Sequence, residues 1–284
     1  MRRVAGKGAR RALGLALAAS VLVPGATAAV ATPAAAVVAA SPVADVGVLP
    51  VGSLGARVSA RRYPTPYRRS TRVVLLGDSL AQESAPFVQY LTSPRAFVPK
   101  FWGGTAPCDW ATADLQANRR TVVVITFTGN SLTPCMVDGA GGFLTDQALV
   151  DQYRHDVGAL VDRARRAGAS VVLVGQPVRA AQFEADVEVA GINAVYAEMA
   201  AAITHVSYVD AGAAVEGADG TFVERLPCTA YDADCAADGL TVVRGDGVHF
   251  CPVVDQSSCP VWSSGAFRFA MAMAAAANDP RAYD

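Results

Sequence analysis

From about residue 71 onward, apolar and polar positions come in alternating blocks rather than residue by residue. Residues 72–76, 121–127 and 170–174 are short, continuous apolar runs rich in Val, Ile and Leu, with 206–210 and 96–98 as weaker ones. Unbroken β-branched runs of this length suit strands covered on both faces. Between them the period lengthens. Over 146–167, Leu149, Tyr153, Val157, Leu160 and Val161 recur at helical spacing, with Thr145 as a cap and Gly168 as a stop. Residues 187–203 and 267–277 read the same way. Strands that alternate with helices predict βαβ units, hence an α/β domain with a mostly parallel sheet and helices on both sides. In such sheets the working groups gather at the carboxyl ends of strands.

The first seventy residues follow a different pattern. Arg2, Arg3, Lys7, Arg10 and Arg11 precede a short apolar stretch from Ala12 to Val23, and Ala26-Thr27-Ala28 supplies small residues for cleavage. This is the layout of an export signal over 1–28, with the Sec and twin-arginine routes both open. A membrane anchor is the competing reading, but the apolar stretch is too short to span a bilayer and Pro24-Gly25 breaks it. No stable span is expected in the mature chain. Residues 29–70 are rich in Ala, Val and Pro and end in a basic Tyr/Pro/Arg stretch, which predicts a low-complexity spacer. A catalytic domain over 71–284 follows, long enough for one sizeable core.

Charge and cysteine content narrow the classes. The full chain carries 24 Lys and Arg against 25 Asp and Glu; loss of residues 1–28 removes five of the basic side chains and leaves 19. A mildly acidic mature surface offers nucleic acid no electrostatic attraction. The six cysteines, Cys108, Cys135, Cys228, Cys235, Cys251 and Cys259, form an even set in an exported chain, which favours disulfides. Their spacings suggest the pairs Cys228–Cys235 and Cys251–Cys259, leaving Cys108 for Cys135. Zinc is the alternative, but there is no C-x-x-C pair and the spacings are loose. No metal and no organic cofactor are expected.

The chemistry-bearing residues lie at predicted strand ends. Gly77-Asp78-Ser79-Leu80 follows the first strand and opens a helix-compatible segment, so Ser79 would be exposed with its N–H at a helix amino terminus. That suits a nucleophile whose product oxyanion needs a donor, although a helix-capping serine in an ordinary turn has the same signature. A serine needs a base, and there are three histidines. His155 lies within an amphipathic helix and His205 just before a strand, so both read as structural or solvated. His249 lies in a glycine-rich stretch, three residues after Asp246, where one tight turn brings carboxylate to imidazole. Phe101-Trp102-Gly103-Gly104-Thr105 follows the weak second strand, and Thr128-Gly129-Asn130-Ser131 follows the third apolar run.

Taken together, these four blocks resemble the SGNH hydrolase family, the GDSL esterases and lipases, over about residues 72–250. The resemblance implies a flavodoxin-like three-layer αβα sandwich around a parallel sheet of about five strands. It also implies a Ser79–His249–Asp246 triad and an oxyanion hole made by the N–H groups of Ser79 and Gly104 and the Asn130 amide. The third block departs from the family's usual G-x-N-D, with Thr128 in place of the first Gly and Ser131 in place of the Asp. The expected activity is hydrolysis of carboxylic esters on carbohydrates, lipids or small alcohols by a secreted, monomeric enzyme. An O-acyltransferase using the same acyl-enzyme is the alternative, and a catalytically inactive surface-binding module is the reading from another class. Trp102, Trp110 and Phe250 flank the blocks, either as a substrate lining or as core aromatics.

Overall fold

The computed structural model describes residues 70–183, 186–253, 259 and 262–279. The expected export signal and, apart from Ser70, the spacer lie outside the described residues. Five parallel strands form the central sheet: β1 (Arg72–Gly77), β2 (Ala96–Phe101), β3 (Thr121–Thr126), β4 (Ser170–Val174) and β5 (Val206–Val209), in the order β2-β1-β3-β4-β5. Four helices cover it: α1 (Ser79–Leu91), α2 (Asp146–Arg166), α3 (Asp186–Ala202) and α4 (Ser264–Asn278). The expected αβα sandwich of five strands is the architecture found.

The two core layers follow from the strand alternation. Val74, Leu76, Val123, Ile125, Val171 and Leu173 face α2 and α3, where they meet Leu149, Tyr153, Val157, Leu160 and Ile192. Val73, Leu75, Val122, Val124, Val172 and Val174 face the other way, onto Leu80, Val88, Phe269 and Met273 of α1 and α4. Every residue of β3 and β4 is buried, which is why these segments carry no polar alternation. Each fully buried Val, Leu or Ile contributes about 1.5–3 kcal/mol relative to exposure.

Two features differ from the sequence expectation. The second strand runs on through Pro99 and Lys100 to Phe101; it is the sheet edge, so a proline there costs no ladder bond and Lys100 stays partly exposed. A short antiparallel hairpin, β6 (Arg225–Pro227) with β7 (Leu240–Val242), lies outside the main sheet. Arg225 pairs with Asp238 through both guanidinium nitrogens beside it. No helix among the described residues is long and apolar enough to cross a membrane.

In the order β2-β1-β3-β4-β5 the winding reverses between β1 and β3, so the loops leaving those two strands diverge and open a crevice at their carboxyl ends. The β1 loop is a single residue, Asp78, before α1 begins. So abrupt a turn needs Gly77: a Cβ there would lie 2.1 Å from the Thr126 carbonyl oxygen and 2.6 Å from the Ala81 Cβ.

Candidate active site

Ser79 is the first residue of α1 and half-exposed at the crevice. Its Oγ lies 3.1 Å from His249 Nε2, and His249 Nδ1 lies 2.8 Å from Asp246 Oδ2. An ionised carboxylate only accepts, so Nδ1 carries the proton toward Asp246 and leaves the Nε2 lone pair for the serine hydroxyl. The other oxygen of Asp246 accepts the N–H groups of Val248 (2.8 Å) and His249 (2.6 Å), so one carboxylate fixes both the loop and the ring. The other two histidines, His155 and His205, are exposed on α2 and in a turn before β5.

Three disulfides join the cysteines as the spacings suggested: Cys108–Cys135, Cys228–Cys235 and Cys251–Cys259. The first ties the segment after β2 to the segment after β3; the last begins two residues beyond His249. Among the described residues the acid-and-sulfur cluster with metal-like proximity is Cys108, Asp109 and Cys135, and both its sulfurs are spent in a disulfide.

The three groups expected as oxyanion donors differ in their partners. The N–H groups of Ser79 and Gly104 have no partner among the described residues, one because it opens a helix and the other because Gly104 sits at φ +79° on an exposed loop. The neighbouring Gly103 N–H donates instead to Gln82 Oε1 at 3.0 Å, which singles out Gly104 of the two glycines. Asn130 is half-buried, and its Nδ2 donates to both Asp78 Oδ2 (3.0 Å) and the Thr105 carbonyl oxygen (3.1 Å). Both amide hydrogens of Asn130 are therefore engaged.

Asp78 gathers several donors. Fully buried, it accepts from Leu80 N (3.2 Å), Thr128 N (2.5 Å), Thr128 Oγ1 (2.8 Å) and Asn130 Nδ2. Burial pushes its carboxyl up to about 6 against the opposing pull of the Thr128 and Leu80 donors and of Arg179. Thr128, where the resemblance would place a glycine, supplies a hydroxyl donor to this buried carboxyl group. Tyr153 of α2 donates to the Asn130 carbonyl at 3.1 Å and steadies the same turn.

Sequence reasoning missed Asp78, Gln82 and Glu83 as partners of the loops. Glu83 Oε2 accepts the Phe250 N–H at 2.7 Å, and burial raises its carboxyl above the ordinary value. Beneath the same loop lies Arg244, 1% exposed, its guanidinium carbon 5.7 and 5.8 Å from the Phe222 and Phe250 ring centres. Burial lowers its pKa to about 10. Of the three aromatics expected near the site, Phe250 is core, Trp110 is half-buried with its Nε1 on Thr105 Oγ1 (3.1 Å), and Trp102 is 69% exposed.

The family model described as "Protein of unknown function (DUF459)" matches residues 105–253, a span that contains Asn130, Asp246 and His249. No curated protein matches the sequence. Among solved structures the chain is similar to an acetylxylan esterase from Geobacillus stearothermophilus, at 14% identity and a TM-score of 0.44 over 73% of this chain and 93% of that one. It is also similar to the C-terminal catalytic domain of a peptidoglycan O-acetyltransferase from Streptococcus pneumoniae, at 18% identity and a TM-score of 0.44 over 73% and 93%. A GDSL-like lipase from Bacteroides thetaiotaomicron is similar at 14% identity and a TM-score of 0.39 over 60% and 78%.

Proposed function

The chain belongs to the family described as "Protein of unknown function (DUF459)", and from that premise we propose that it is a secreted serine esterase that cleaves carboxylic esters through an acyl-enzyme. The observation that carries the proposal is the unbroken relay Ser79 Oγ, His249 Nε2, His249 Nδ1, Asp246 Oδ2, at 3.1 and 2.8 Å, joining residues 170 positions apart at the sheet's switch point. The three disulfides support an oxidising compartment, and with it the export expected of residues 1–28.

In this reading Ser79 Oγ attacks the acyl carbonyl while His249 Nε2 takes its proton, and Asp246 stabilises the imidazolium. The new oxyanion accepts from the N–H groups of Ser79 and Gly104, and from Asn130 once its amide turns away from Asp78 and Thr105. Collapse returns the proton from His249 to the departing alcohol. Water, activated by the same histidine, then cleaves the acyl-enzyme and restores Ser79.

The test uses purified mature protein and its Ser79→Ala variant on p-nitrophenyl esters from acetyl to palmitoyl. Turnover that disappears in the variant is the expected result, with a loss of about 10³-fold or more. The chain-length profile then separates short-acyl from lipid esters, and product partition with an added sugar acceptor separates hydrolysis from transfer. Folded parent protein that turns over no ester and forms no acyl-enzyme would overturn the proposal.

A further inference from the structure

The relay fixes the imidazole within its own loop, but it does not explain what holds that loop against the helix bearing Ser79. Asp246 binds Val248 N, His249 N and the ring, all on the same loop. The Gly245 N–H to Cys251 O bond is internal to the loop, as is the Cys251–Cys259 bridge to the connection between β7 and α4. The Ala180 N–H donates to Gly247 O at 2.9 Å and ties the loop to the segment after β4. Ser263 Oγ donates to the Phe250 carbonyl and ties it to α4. None of these reaches α1.

Among the hydrogen bonds of the described residues one does, besides that between Ser79 and His249, while Phe250 also shares the apolar layer of Leu80 and Ala81. Ser79 and Glu83 stand four residues apart, on one face of α1, and both point at the loop. Glu83 Oε2 receives the Phe250 N–H at 2.7 Å, one residue beyond His249. Resting on the serine-hydrolase reading above, we infer that Glu83 is a positioning residue for the base, holding the 246–250 loop at the distance from α1 that brings His249 Nε2 into reach of Ser79 Oγ.

Two further observations fit a carboxylate kept there for a purpose. A glutamate on the first turns of a surface-layer helix is free to extend into water, yet Glu83 is half-buried against a backbone amide. The charges near it belong to the same loop region: Arg244 favours its ionised form, and Asp246 opposes it. Without the acceptor, the Phe250 N–H would lose its partner and the loop its fixed distance from α1. Small misplacements of a base are costly, with about 1 Å equivalent to as much as 10²-fold in rate.

The experiment compares Glu83→Gln with Glu83→Met. Gln keeps an acceptor at the same reach, and Met keeps the length without one. Expected are kcat within about threefold of the parent for Gln and a fall of about 10- to 100-fold for Met, with KM within about twofold in both. Thermal midpoints report folding, and amide exchange of Phe250 reports the contact independently of turnover. Slow exchange in parent and Gln protein, and at least tenfold faster exchange in Met protein, is the expected pattern. Equal kcat in parent and Met protein, equal losses in both variants, a loss confined to KM, or a Phe250 amide unprotected in the parent would each overturn the inference. Absent turnover by the parent on every ester would instead strike the serine-hydrolase reading, while the exchange data still decide whether Glu83 holds the loop.

Discussion

The two sides of Ser79 are prepared to different degrees. On the base side the contacts needed for proton transfer are in place, with Nε2 already 3.1 Å from Oγ. On the acceptor side two N–H groups stand free, but the Asn130 amide spends both hydrogens on Asp78 and on the Thr105 carbonyl. The difference teaches that a donor is worth only the net of the bond it makes over the bonds it leaves. A half-buried amide left unpaired at rest would cost about 1–3 kcal/mol, so in the proposed scheme it is held by partners that it releases for the oxyanion.

The sharpest way to break this comparison is Asn130→Ala. If the amide turns to the oxyanion, kcat falls by about 10²- to 10³-fold, as for other lost oxyanion donors. A loss below about threefold on short-chain esters would mean that the amide stays with Asp78 and that two N–H groups suffice. A lowered thermal midpoint with unchanged kcat would assign Asn130 to the turn alone.

Asp78 gives the next largest effect, in stability rather than rate. Its carboxyl rises from the ordinary 3.8 to about 6 because it is fully buried. The folded state therefore keeps a proton that the unfolded chain releases. This contribution to stability is fully present below about pH 4 and is lost as pH rises through about 6. Urea unfolding of the parent should include a fall of about 3 kcal/mol between pH 4 and pH 7 that is missing from Asp78→Asn. Identical pH slopes in the two proteins would mean that the Thr128 and Leu80 donors outweigh the burial.

Gly104→Ala gives the smallest effect and sharpens the picture of the free N–H. The residue has φ +79°, and an added methyl would meet no atom within 4 Å, so only the backbone conformation is penalised. The expected stability loss is about 1–2 kcal/mol by thermal or urea unfolding. A larger drop in kcat than this strain explains would mark the N–H as a working donor; an unchanged kcat would leave the oxyanion to Ser79 and Asn130.

Much of this arrangement is legible in the sequence. Val- and Ile-rich runs became buried central strands because burial on two faces leaves no polar alternation to blur them. Asp246 and His249 could be read together because three residues of one turn join them. The boundaries were less legible: α4 begins at Ser264, ahead of the apolar periodicity, because the Ser263 side chain caps it by accepting from Ala266 N. The β6–β7 hairpin escaped because three-residue strands are too short to show a period. Glu83 and Asp78 escaped for another reason. Helical spacing put Glu83 on the face of Ser79, but which loop crosses that face is set by topology, Glu83 and Phe250 being 167 positions apart. Likewise nothing near Asp78 in the chain announces donors fifty residues away.

The start of α1 carries more than the proposed nucleophile. Asp78 holds the turn after β3, Gln82 the glycine loop after β2 and Glu83 the histidine loop, each by side-chain hydrogen bonds of 2.5–3.0 Å. In kinematic terms the helix start is a common reference for three loops from distant parts of the chain. A thermal shift of α1 against the sheet is then common-mode: the loops follow, and the separations between reacting atoms are unchanged to first order. What alters those separations is differential motion at one of three small joints. Each joint can be exchanged singly, so the tolerance of this chemistry to misalignment can be measured one loop at a time.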